Sequence, residues 1–176
     1  MLRLVSERPI QPPPPRRRAV TAIGLADVQC AETRAIVIAW KKWRRWQSMP
    51  ASSALSDADL GRHIAHASVA CVIDDGHDYE FEFIGDAHIR AYGANHCGRR
   101  ISDVAQLSPR FGQQLKASYD LVRITGNPHA FQGSLAAESA DARFVWFETV
   151  YLPLGEDGVV DRILNAAVYR LRDDAA

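Results

Sequence analysis

The sequence predicts an α+β domain: a five-stranded antiparallel sheet with helices on one face, preceded by an N-terminal amphipathic helix. Three observations predict it. Two β-prone runs, 68–73 and 79–83, flank the turn signal Asp74-Asp75-Gly76. A helical block follows, ending in a long helix opened by Ser108-Pro109 and stopped by Gly126-Asn127-Pro128. Three more β-prone runs, 129–136, 143–152 and 162–171, finish the chain. Strands, then helices, then strands is not a repeating βαβ pattern; it reads as an antiparallel sheet with its helices segregated to one face.

Residues 1–22 read as a disordered leader, because Pro12 to Pro15 favour polyproline II and Arg16 to Arg18 form a charge run. Residues 23–50 hold the N-terminal helix, read over 25–47 with Asp27 as a cap. Ile36, Trp40 and Trp43 recur at spacings of three and four and make one apolar stripe. That stripe is expected to form a homodimer interface. Lys41, Lys42, Arg44 and Arg45 lie between the tryptophans. Such interleaving can bind nucleic acid, but on a helix the rings share one face and the cations take the others, so packing is the simpler reading.

The domain proper is expected over 51–173. A short helix at 57–66 takes Ser56 as its cap, with Leu60 and Ile64 as its apolar pair. In the second strand Tyr79, Phe81 and Phe83 alternate with Glu80 and Glu82, the period of a half-buried strand. Residues 86–92 suit a brief helix that Gly93 ends, and 101–107 suit another. Phe111, Leu115, Tyr119, Val122 and Ile124 give the long helix a broad apolar face. Gly155 to Gly158 read as the hairpin loop between the last two strands.

Bulk properties exclude several classes. The 176 residues suit one domain. A formal net charge of zero supplies no global field for nucleic acid or an anionic membrane. Cys30, Cys71 and Cys97 are scattered and odd in number, which argues against a disulfide framework or a zinc cluster and for a reducing cytoplasm. No signal-peptide core or apolar run of transmembrane length occurs.

The ordered series Trp40 through Trp43-Arg44, Met49-Pro50, Asp59-Leu60, His66, Phe81-Glu82-Phe83-Ile84-Gly85, Tyr92-Gly93, Gly98-Arg99-Arg100, Leu152-Pro153-Leu154 and Asp161-Arg162-Ile163-Leu164 resembles a PAS-like family of stand-alone alphaproteobacterial proteins. The resemblance covers roughly residues 36–171. It departs at Glu82, where arginine is common, and at Cys97, where threonine is. The resemblance implies short helices over a five-stranded sheet, a small ligand held between them, and a role in sensing or signalling through a protein partner.

Motifs for catalysis are absent: no GxSxG elbow, no HExxH and no phosphate-cradling glycine loop occurs. The chain is therefore expected to have no catalytic output of its own. The cofactor is unknown. The long helix has no histidine to serve as a haem ligand, and Asn95-His96-Cys97-Gly98 lacks the motif of a flavin photosensor. The expected pocket residues are Phe83, His88, Tyr92, Tyr119, Arg123, Trp146 and Asn165: aromatic walls with a few polar groups to orient a ligand, or, on the alternative reading, side chains that fill the core of an interaction scaffold, with a small enzyme using the same cavity as a third reading. No metal site is expected from His63, His66 and His77.

Overall fold

In the computed structural model, which describes residues 19–134 and 143–172, six antiparallel strands form one sheet. They are β1 (Ala19–Ile23), β2 (Ala67–Ile73), β3 (Asp78–Ile84), β4 (His129–Ser134), β5 (Phe144–Glu156) and β6 (Val159–Leu171), in the order β1-β4-β5-β6-β2-β3. The helices are α1 (Ala31–Arg44), α2 (Asp57–Leu60), α3 (Asp86–Tyr92), α4 (Ile101–Leu107) and α5 (Pro109–Thr125). A 3-10 helix, Gly61–His66, links α2 to β2. The α+β class and the antiparallel sheet agree with the sequence reading.

The sheet has one strand more than expected. β1 pairs with β4, placing Val20 opposite Gly133 and Ala22 opposite Phe131. Its sequence, AVTAI, carries β-branched residues, but the Pro- and Arg-rich run before it set the composition of the window. Pro12 to Pro15 and Arg16 to Arg18 lie outside the described residues.

Helices cover both faces rather than one. Along β5, side chains alternate. Phe147, Thr149 and Tyr151 face α5 across a cavity. Glu148, Val150, Leu152 and Leu154 face the opposite way and are buried. On that side Thr33 of α1 donates to Glu148. The indole Nε1 of Trp40 reaches across to donate to the Pro153 carbonyl at 2.8 Å. Ile36 and Trp40 are 0% and 2% exposed. The sheet is therefore the middle of three layers, and one continuous core joins α1, the sheet and α5.

Helix α1 begins at Ala31, later than the sequence reading placed it. Asp27 does not cap it, and Cys30 at the N-cap position makes no side-chain cap bond. A carboxylate from the sheet takes that place. Glu148 accepts from the Gln29 N–H at 2.8 Å, the Cys30 N–H at 2.9 Å and the Thr33 hydroxyl at 2.5 Å. Orphan N–H groups and the positive end of the helix dipole favour a carboxylate there. Such a cap is not legible locally, because its acceptor lies 118 positions along the chain.

Two features set side-chain directions. The β5–β6 hairpin runs on to Glu156 and Val159, so its loop is only Asp157-Gly158, both at positive φ (52° and 80°), the conformation that an Asp-Gly pair supplies. In β3 the pairing slips between Val69 and Ala70 of β2, so Phe81 lies opposite Ala70 while Phe83 lies opposite Val69. This bulge breaks the period of two.

Candidate ligand cavity

The inner face of β4, β5 and β6, the first half of α5 and the end of α3 form a half-open cavity of about 310 Å³. Helix α4 packs closely behind α5: a Cβ added at Gly112 would lie 2.5 Å from the Cα of Ala105, so only glycine admits this approach. Phe111 and Leu115 line the cavity from α5, and Phe131, Phe144 and Phe147 from the sheet. Val20 of β1 also contributes to the wall. The rings contact one another at aromatic spacing: Tyr92–Phe111 centroids are 4.7 Å apart, Phe144–Tyr169 4.9 Å and Phe144–Phe147 5.8 Å.

One end is polar. Ser118, Thr149 and Tyr151 line it. Thr149 donates to Oδ1 of Asn165 at 3.1 Å. Burial pushes the Tyr151 phenol up, while the polar groups of Ser118, Thr149 and Asn165 pull it partly back. Beneath this end, Oγ of Ser68, the hydroxyl of Tyr119 and Nδ2 of Asn165 are buried together at the edge of hydrogen-bond geometry; burial pushes the Tyr119 phenol up, and Ser68 and Asn165 pull it partly back. Buried polar groups are costly to leave unpaired.

A second polar group stands behind the aromatic wall. His88 is completely buried. Its Nε2 lies 3.0 Å from the His66 carbonyl, which can only accept, so Nε2 carries the proton and Nδ1 is an acceptor. The Tyr92 and Tyr169 hydroxyls lie 3.1 and 3.2 Å from that Nδ1 and 3.3 Å from each other. Burial pushes His88 down to about 4, so the ring is neutral at pH 7. Both tyrosines also line the cavity, and burial pushes their phenols up.

The structure distributes the seven expected pocket residues over several places. Tyr92 lines the cavity. Tyr119 and Asn165 lie directly beneath it: the Tyr119 ring meets Tyr151 edge-on at 5.7 Å. His88 stands behind Tyr92 and Tyr169. Phe83 pairs with Val69 and Trp146 precedes the inward Phe147 by one residue, so both point to the α1 side of the sheet. Arg123 donates to Asp75 at 3.1 Å and ties α5 to the β2–β3 turn, away from the cavity. Sequence reasoning read Phe111 only as part of the apolar face of α5, and missed Phe131, Phe144, Phe147, Thr149, Tyr151 and Tyr169. The signal for the missed residues was the alternation along β4, β5 and β6, once the parity was known.

The residues expected at a dimer interface are engaged within the chain. Ile36 and Trp40 lie in the core, where α1 packs on the sheet. Trp43 is half-buried, and its Nε1 donates to Asp59 at 2.8 Å. Cys97 is exposed and its Sγ contacts the Glu82 carbonyl. Among the described residues, no three His, Cys, Asp or Glu side chains are placed to hold a metal ion. No helix among them is long and apolar enough to cross a membrane.

These features define an α+β protein with an aromatic cavity between its sheet and its central helices. No family model, curated protein or solved structure matches the chain.

Proposed function

We propose that the chain is a PAS-like sensory module that takes a small ligand between sheet and helices and relays the binding event to a protein partner, with no chemistry of its own. The observation that carries this reading is the cavity: about 310 Å³, walled by aromatic rings and ended by hydroxyls. That volume is at the small end of the range for ligand sites, and concave apolar pockets with a few converging polar groups are their usual form. Strands β2 to β6, with α3, α4 and α5 inserted between β3 and β4, also fit the arrangement that the PAS resemblance implies. The buried polar groups of Ser68, Tyr119 and Asn165 stand behind the polar end of the cavity and support this reading.

Native mass spectrometry of the freshly purified chain tests the reading. The expected result is a discrete added mass that disappears on denaturation and is missing from Phe147→Trp, in which a larger ring fills the cavity. A bare chain in repeated preparations, together with no stabilisation by any small molecule in a thermal-shift screen, removes the sensory reading in favour of a filled interaction scaffold.

A further inference from the structure

The walls and the polar end of the cavity together narrow the ligand. Among the described residues that line it, none carries a charge: the lining comprises aromatic and aliphatic side chains with Gln114, Ser118, Thr149 and Tyr151 as its polar groups, the Tyr92 and Tyr169 hydroxyls being turned to His88. The cavity is half-open to solvent, so a charge at its mouth stays hydrated; a carboxylate or ammonium carried to the inner end beside Tyr151 meets no opposite charge, and an unpaired buried charge is strongly disfavoured. The enclosing rings stand edge-on or tilted to one another, as Phe131–Tyr151 (6.2 Å, 63°) and Phe144–Phe147 (5.8 Å, 80°) do. A flat aromatic ligand placed among them can make the same offset and edge-to-face contacts that these rings make with one another. The polar groups are concentrated at Tyr151, where Ser118, Thr149 and Asn165 converge. Asn165, 1% exposed, stands directly behind them, its side chain reaching both the Tyr151 and the Tyr119 hydroxyls.

We propose that the cavity binds a neutral, flat aromatic molecule of one or two rings, its rings among Phe111, Phe131, Phe144 and Phe147 and a single hydroxyl or carbonyl directed at Tyr151 and Thr149. The proposal rests on the sensory reading and adds to it the chemical class of the ligand: uncharged, planar and polar at one edge. Asn165 is a positioning residue in this arrangement. It fixes Thr149 through Oδ1 and keeps an amide N–H behind the polar end.

The test uses the full chain and three probes of one skeleton: 2-naphthol, naphthalene and 2-naphthoate, each measured by equilibrium dialysis at pH 7. 2-Naphthol is expected to bind about tenfold more tightly than naphthalene, the scale of one neutral hydrogen bond, and more tightly still than the anion. Tyr151→Phe is expected to bring 2-naphthol down to the affinity of naphthalene and to leave naphthalene unchanged. Thr149→Val is the second variant should Tyr151→Phe fail to fold. Equal or tighter binding of 2-naphthoate overturns the proposal, as does a 2-naphthol preference that survives both substitutions. If only a charged molecule is retained by the purified chain in native mass spectrometry, the sensory reading stands and the neutral aromatic class falls. If no molecule is retained and no probe binds, both fall together.

Discussion

Two buried titratable residues carry charge states that folding depends on, and each predicts a pH response. His88 is neutral in the folded chain down to about pH 4, whereas an unfolded histidine takes up a proton near 6.5. Above 6.5 both states are neutral and His88 contributes no slope. Between 6.5 and 4 only the unfolded state is protonated, so stability falls as pH drops, by ~3 kcal/mol across the window. His96 and His129 are also pushed down by burial and act in the same direction. The contribution of His88 is therefore read as a difference: urea unfolding of His88→Gln should show a shallower loss between pH 6.5 and 4 than the parent. Identical slopes refute it. Glu148 responds at lower pH. Burial pushes its carboxyl up, but the bonds from Thr33, Gln29 and Cys30 outweigh this and hold it below its usual value. Its stabilisation is present above the unfolded pKa and is lost as pH falls through the folded one. Glu148→Gln is expected to cost about 2 kcal/mol at pH 7, seen as a lower urea midpoint at unchanged slope. At this scale the sequence identified types better than directions. Tyr92, Tyr119 and Asn165 were legible as aromatic or polar residues on buried elements. Phe83 and Trp146 were misdirected because one bulge and one step of strand parity reverse a side chain, and neither has a local signal.

At the scale of elements, α3, α4, α5 and the strands β2 to β6 were legible because each carries its own period and stop signals: Gly93 at φ 81° ends α3 and Gly126 at φ 63° ends α5. Helix α1 was legible as an amphipathic helix but its destination was not. An apolar stripe reports that a face is buried, without reporting what buries it. The sheet buries it: Trp40 is 2% exposed and bonded to Pro153, whereas Trp46, just beyond the helix, is 85% exposed. These tryptophans predict opposite outcomes. Trp40→Ala should cost about 3–5 kcal/mol by opening a cavity between α1 and the sheet. Trp46→Ala should stay within about 0.5 kcal/mol, as exposed positions do. Chemical denaturation of the two variants decides the point, and similar losses would show that α1 is not seated through Trp40. β1 was hidden for another reason. At five residues beside a Pro- and Arg-rich run, its β-signal is diluted in any window long enough to score.

For the whole molecule, the position of β6 sets the order in which parts open. β6 lies inside the sheet, pairing with β5 on one side over a tight hairpin and with β2 on the other. Its segment from Ile163 to Ala167 is buried throughout, and both helical layers rest on it. Breaking those pairings exposes the core common to α1 and α5, so the β6 amides can exchange only when most of the structure opens. β1 sits at the outer edge, paired with β4 alone, and Val20 is half exposed. Edge strands with little burial open locally at low cost. Hydrogen exchange followed by mass spectrometry should therefore rank peptides containing 163–167 as the slowest and peptides containing 19–23 among the fastest. A ligand in the cavity touches β1, β4 and β5 together through Val20, Phe131 and Phe147. It should slow exchange in β1 and β4 selectively, while β6, already limited by global opening, gains only the overall stabilisation that binding confers on the folded state. Protection that rises equally in α1 and β1 on ligand addition would place the bound molecule somewhere other than between the sheet and α5.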